Sequence, residues 1–258
     1  SLIPFKNFRS NRKQILSRYA RATILPMVPG LINWKLNSIP ALLYALLCRP
    51  HTIIARIVWA AHMALFLKRI RLANKVIYDG RGAFAAEMEE YNSVPQNRSR
   101  VRRAFIKAER RAVQQSDFRI AVTQPLVQYW REQFNYIGNA HVVIPCLVSP
   151  AENFELSEKT IAEIRTRLGF QPDDIIIVYS GSSSGWQSFG LMEIYLDEWM
   201  SGNPKIKALM MIKDSVRQSG LIKKYGKRIK TLWVSPQETV SILSAADYGL
   251  MIRGKSIT

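Results

Sequence analysis

Acidic residues are few in this 258-residue chain: 19 Asp and Glu stand against 37 Lys and Arg, for a formal charge of +18. Cysteine and histidine are scarcer still. Cys48 and Cys146 are too far apart in sequence to suggest a disulfide framework. Neither they nor His51, His62 and His141 have the spacing of metal ligands. A reducing compartment and no structural metal are therefore expected. No apolar run is long enough to cross a bilayer: Ile39–Cys48 (IPALLYALLC) is too short, and the stretch from His51 to Leu67 is interrupted by Arg56 and His62. Helix-turn-helix, zinc-finger and RNP patterns are missing, so nucleic acid is the weaker choice of partner. No solenoid repeat, low-complexity tract or signal peptide is evident, and because the chain starts without methionine a segment upstream could carry a signal peptide.

What is present is unevenly placed. Residues 1 to 150 hold 23 Lys/Arg and 7 Asp/Glu, a net of +16, whereas the remainder holds 14 against 12, a net of +2. A basic first half beside a near-neutral second half suits an anionic partner such as a phospholipid surface or a phosphorylated acceptor. Apolar content of 48% excludes a disordered chain, and the length allows two α/β domains.

The central stretch runs from Asp173 to Met200. Ile175 to Tyr179 form a continuous strand-favouring run of the kind buried in a parallel sheet, Ser180 to Gly185 form a loop of small residues, and Leu191, Ile194 and Tyr195 recur at helical spacing. Strand, small-residue loop, helix is a βα unit. A helix N-terminus offers unpaired N–H groups and partial positive charge, and small residues let a phosphate approach the backbone, so a nucleotide diphosphate fits there. GSSSG matches neither G-x-G-x-x-G nor the P-loop, which argues against a dinucleotide fold or a P-loop kinase. A plain βα turn without ligand is the competing reading of the loop.

The first half also alternates strand and helix. TIIAR (Thr52–Arg56) reads as a strand followed by a helix from about Val58. KVIYDGRGAFAAEMEEY reads as a strand through Tyr78, a polar turn at Asp79 to Gly82 and a helix from about Ala83. Arg56, Asp79 and Arg81 then lie at the carboxyl ends of successive parallel strands, the edge where open α/β sheets bind ligands. Capping is an equally ordinary use of an aspartate such as Asp79. Arg98, Arg100, Arg102 and Arg103 lead into a helix, FIKAERRAVQQS, and suit phosphate or solvent alike. A domain boundary is placed near residue 150, where the charge density drops. Beyond it, SEKTIAEIRTRLGF reads as a helix, KIKALMMIKD and KRIKTLWVS as strands, SPQETVSILSAAD as a short helix and YGLMIRG as a last strand.

Taken in order, IIAR, IYDGRGAFAAE, KAERRAVQQSDFRIAVTQPLVQYWREQF with HVVIPCLVS, and SPQETVSILSAADYGLMIR resemble the GT-B glycosyltransferases, in particular the retaining group 1, or family 4, sugar transferases. The resemblance covers most of the chain from about residue 50. It implies two Rossmann-like domains of parallel sheets flanked by helices with a cleft between them: residues 1–150 on the acceptor side, lacking their first strand, and residues 151–258 as an incomplete nucleotide-sugar domain. It implies transfer of a sugar from a nucleotide-sugar donor to a glycan or lipid-linked acceptor in cell-surface polysaccharide synthesis. No metal or other cofactor is implied, and the place would be the cytoplasm or the inner face of a membrane. On this pattern Asp79 and Arg81 are the catalytic pair, with Arg56 and Glu87 beside them on the acceptor side. Gly181, Ser182, Ser183, Lys213, Val234, Ser235, Glu238 and Arg253 serve the donor. The family's basic residue just after the phosphate loop is replaced here by Trp186 and Gln187. Reading the charge alone leaves an alternative, a non-catalytic basic α/β protein that binds anionic membrane or nucleic acid.

Overall fold

A computed structural model describes residues 2–4, 8–18, 22–27, 36–90, 99–147, 156–181, 188–212 and 220–252. The chain falls into two compact units that divide between Cys146 and Leu147. In the first, β1 (Leu2–Pro4) and β2 (Leu25–Met27) pair in parallel, with α1 (Phe8–Arg18) between them in sequence and α2 (Ser38–Cys48) after them. Then β3 (Thr52–Arg56), α3 (Val58–Arg69), β4 (Lys75–Gly80), α4 (Phe84–Glu90), α5 (Ser99–Gln115), β5 (Phe118–Ala121), α6 (Gln124–Phe134) and β6 (His141–Val143) follow. The four strands β3-β4-β5-β6 form one parallel sheet in sequence order.

The elements form where local chemistry asks for them. α6 starts at Thr123, whose hydroxyl accepts the Leu126 N–H at 3.3 Å, with a proline in the first turn, and it stops at Asn135 in the left-handed region. The core joins Val58, Ala61 and Leu65 of α3, Val76 and Tyr78 of β4, Ala112 and Val113 of α5, and Trp130 of α6, which is fully buried. β4 runs two residues further than its apolar pattern suggests, so Asp79 and Gly80 belong to the strand. Their ladder partners, Ile120 and Ala121 of β5, extend the pairing past the hydrophobic run.

The second unit holds α7 (Glu158–Arg167), β7 (Ile175–Ser180), α8 (Phe189–Gly202), β8 (Ile206–Met211), α9 (Gly220–Tyr225), a 3-10 turn at Gly226–Arg228, β9 (Ile229–Leu232), α10 (Pro236–Leu243) and β10 (Tyr248–Gly249). The sequence pattern does not predict α9, whose six residues are too few to show a helical apolar period. The parallel sheet runs β10-β7-β8-β9. β7, buried from Ile176 to Tyr179, therefore has one neighbour on each side. One core layer lies under α8 (Met192, Leu196, Met200) and the other under α7 and α10 (Ile164, Ile242, Ala245). Both units are thus parallel α/β sheets flanked by helices, as the sequence pattern predicts.

Candidate active site

In the first unit the structure brings Arg56, Asp79, Arg81 and Glu87 to one sheet edge. Arg56 ends β3, is exposed, and sits in register with Asp79 across the β3–β4 ladder. Side chains at matched positions of a parallel pair point to the same face. Asp79 is only 6% exposed. Its Oδ2 accepts from Arg81 Nε at 3.1 Å and pairs with the second guanidinium nitrogen at 3.0 Å, while its Oδ1 is buried with no hydrogen-bond partner. A buried carboxylate oxygen without a donor is costly, and a ligand hydroxyl would satisfy it.

Two glycines shape this turn for steric reasons. A Cβ on Gly80 would lie 2.5 Å from Cζ2 of Trp130, and one on Gly82 would collide with the carboxylate of Glu87. Glu87 therefore lies across the turn, on α4. Beneath α4 is a residue that sequence reasoning missed as a site group, Glu109 of α5. It is fully buried, and its oxygens accept the N–H groups of Phe84 at 3.1 Å and Ala85 at 2.7 Å; the Tyr129 hydroxyl stands 3.4 Å from Oε2. Burial pushes the Glu109 carboxyl up to about 7, against the pull of the two amides. The signal was in the sequence: Glu109 is an acid at position i+4 from Phe105 and i−4 from Val113, in the apolar stripe of an otherwise basic helix.

In the second unit the strand order places a topological switch point between β7 and β10, because the chain leaves β7 towards β8 and β9 and returns to its other side at β10. Ligands of open α/β sheets bind at the carboxyl edge of such a point. Gly181 is there, one residue past β7, its N–H bonded to the Met211 carbonyl at 3.3 Å. Ser182, Ser183, Lys213 and Arg253 lie outside the described residues. Val234 packs partly buried against the α7–α10 core layer. Ser235 caps α10, and the Glu238 carboxylate accepts its N–H at 3.1 Å and its hydroxyl at 2.7 Å, both on Oε2. Those two bonds hold the Glu238 carboxyl below its ordinary range. Among the described residues, no three His, Cys, Asp or Glu side chains gather as a metal site would require.

Comparison with solved structures adds a class. HepE of Anabaena, in complex with UDP, superposes with a TM-score of 0.67 at 14% identity, covering 93% of this chain and 63% of its own. Sucrose-phosphate synthase from Thermosynechococcus elongatus gives 0.64 at 15%, covering 88% and 57%. The fold is that of the GT-B glycosyltransferases. WaaG, a glycosyltransferase involved in lipopolysaccharide biosynthesis, shares the GT-B fold with a TM-score of 0.60 at 12% identity, over 98% of this chain and 72% of its own. The chain spans about three fifths of the length of the first two structures. No family model and no curated protein matches it by sequence.

Proposed function

We propose that this GT-B chain is part of a glycosyltransferase that moves a sugar from a nucleotide-sugar donor to a hydroxyl of a glycan or lipid-linked acceptor. The observation that carries the reading is the pairing of two features on this fold. One is the switch point beside β7, followed in sequence by the small residues Gly181 to Gly185, and the other is a buried, half-satisfied carboxylate at Asp79. The UDP bound to the similar HepE supports a nucleoside diphosphate as the leaving group.

In the proposed reaction the bond from the anomeric carbon to the diphosphate breaks as the acceptor oxygen bonds to that carbon. The acceptor's hydroxyl proton is taken up at Asp79 Oδ1 or at the departing phosphate, and Arg81 holds the Asp79 carboxylate in place. The diphosphate is stabilised by backbone N–H groups at the start of α8 and by Lys213 and Arg253, without a metal. Val234, Ser235 and Glu238 contact base or ribose. Retention of configuration and a role in cell-surface polysaccharide or glycolipid assembly follow the likeness to family 4 enzymes. The first unit supplies the acceptor side and meets a membrane. It exposes Ile39, Leu43, Leu46 and Leu47 along α2 and a run of Arg100, Arg103, Lys107 and Arg110 at helical spacing on α5. None of its described helices is long and apolar enough to cross a membrane.

The test is a thermal-shift titration with UDP, GDP, ADP, dTDP and their sugar conjugates, repeated on variants. One nucleotide should raise Tm. Lys213→Ala and Arg253→Ala should each weaken its binding roughly tenfold. Arg81→Ala should leave binding unchanged and abolish most transfer. Unchanged affinity in both donor-side variants would remove the donor-site assignment, and full turnover in Arg81→Ala would remove the acceptor-side one. Co-sedimentation with anionic but not neutral vesicles, lost at high salt, is the expected signature of the membrane face; equal pelleting with both would count against it.

A further inference from the structure

Glu109 is the one acid of α5. It faces inward with Phe105, Ala108, Ala112 and Val113, while Arg100, Arg102, Arg103, Lys107 and Arg110 face solvent. A carboxylate with no exposed surface needs hydrogen-bond donors to offset its burial. Here both oxygens grip amides of the first turn of α4, a helix of seven residues that is too short to hold its own shape. Two residues upstream of those amides is Gly82, and directly before it the Asp79–Arg81 pair.

We infer that Glu109 is a positioning residue. By holding the Phe84 and Ala85 amides it fixes the turn at Arg81 and Gly82 that follows β4, and through the Arg81 guanidinium the Asp79 carboxylate paired with it. This rests on the reading of Asp79 as the acceptor-side group. An ionised carboxylate binds amides more tightly than a protonated one does, so the grip weakens as Glu109 takes up a proton. The groups that act on it are Glu87 from α4, Tyr78 from β4 and Tyr129 from α6; on the neighbouring turn of α5, His62 from α3 has its Nε2 2.9 Å from the Ala108 carbonyl and lies near Arg111. Burial lowers His62 and raises both tyrosines, so these three stay neutral around pH 7. The neighbouring Glu87 carboxylate adds to the upward push on Glu109. The grip is therefore lost across the neutral range.

The deciding experiment is residue-resolved amide exchange from pH 6 to 8.5 on wild type and Glu109→Gln, run beside hydrolysis of UDP-glucose with water as acceptor. In wild type, protection at Phe84, Ala85 and the preceding turn, corrected for intrinsic exchange, should fall about fivefold from pH 8 to pH 6. The hydrolytic kcat should fall with the same midpoint while KM for UDP-glucose holds. In Glu109→Gln both profiles should be flat. Wild-type protection that does not vary with pH, or the same midpoint in the variant, overturns the inference. Absence of any hydrolysis would count against the glycosyltransferase reading, and the exchange result would still decide the role of Glu109. Should Glu109→Gln fail to fold, Tyr129→Phe replaces it. Removing that hydroxyl should move the wild-type midpoint upward, and an unmoved midpoint would overturn the inference.

Discussion

The two units secure their sheets with the same device. In the first, Asp117 stands just before β5. Its N–H bonds to the Val76 carbonyl at 2.8 Å, its Oδ2 accepts the Val76 N–H at 2.7 Å, and its Oδ1 pairs with Lys68 of α3. In the second, Asp247 stands just before β10. Its N–H bonds to the Ile176 carbonyl at 2.9 Å, its Oδ2 accepts the Ile176 N–H at 2.7 Å, and its Oδ1 pairs with Arg165 of α7 at 2.6 Å. One carboxylate thus joins an arriving strand, its neighbour and a helix. The units part company at the opposite, carboxyl end of the sheet. In the first, the N-terminus of α4 already holds an anion, the Glu109 carboxylate, and side chains fill the turn. In the second, α8 has no acid in its first turn, and the sequence from Gly181 to Gly185 is of small residues. A helix start satisfied from within suits a site made of positioned side chains. One with no acid in its own first turn suits a site that receives a phosphate. The same architecture, differently furnished, fits an acceptor side and a donor side.

Removing the shared device should have the largest effect. Asp247→Ala strands the Ile176 N–H inside the sheet and deprives Arg165, whose side chain is only 17% exposed, of its ion-pair partner, leaving it the Ala245 carbonyl. A loss of roughly 4 kcal/mol is expected by thermal or denaturant unfolding. For Asp117→Ala the expected loss is about 3 kcal/mol, since Lys68 is a third exposed and can turn to water. If either variant unfolds like wild type, the clamp is ornamental in that unit. If the order reverses, exposure of the basic partner is not what sets the difference.

Next in size is the pH dependence between pH 5 and 7 that Glu109 gives the first unit. Glu109 is raised from 4.5 to about 7 in the folded chain. Between those values the native state holds a proton that the unfolded state has released, so stability falls as pH rises through that window and levels off above it. The full shift corresponds to at most roughly 3 kcal/mol. Asp117 moves the other way, because the Lys68 and Val76 bonds outweigh desolvation, and so it acts only below the ordinary carboxylate range. His62, lowered by burial, adds stability as pH rises through its own range, so the clean quantity is wild type minus Glu109→Gln. That difference should slope from pH 5 to 7. A flat difference would place the Glu109 carboxyl at an ordinary value and undo the contrast between the two helix starts. Acid would thus stabilise the fold while loosening the Asp79 turn, two effects that a merely structural acid would not separate.

Much of this was legible from pattern alone. The apolar runs of β4 and β7 are continuous because both faces of a parallel sheet are covered there, and SPQE announces the α10 start through proline and a capping glutamate. The Asp79–Arg81 turn was visible as polar residues closing an apolar run. What stayed hidden were features set by contacts distant in sequence. The grip of Glu109 on amides 24 and 25 residues earlier is one. Another is the need for glycine at position 80, imposed by Trp130. Asp117 and Asp247 both precede strands within similar strings, SDFRIAV and ADYGLMI, yet nothing local says that each reaches across to a neighbouring strand.

The smallest expected effect tests the donor side at Glu238. Both of its capping bonds fall on Oε2, and Oε1 takes none from the described residues, so the side chain can cap α10 and still offer an oxygen to a ribose. A Glu238→Gln variant keeps an amide oxygen for the cap but weakens the acceptor offered outward. The free protein's Tm should move little, because the site is on the surface, while nucleotide affinity drops severalfold. Equal affinity with equal Tm would reduce Glu238 to a cap, with base and ribose recognition left to Val234 and the backbone near Ser235. A fall in Tm with affinity unchanged would show that the glutamine cannot sustain the cap, and that the helix start, not the ligand, is what the carboxylate serves.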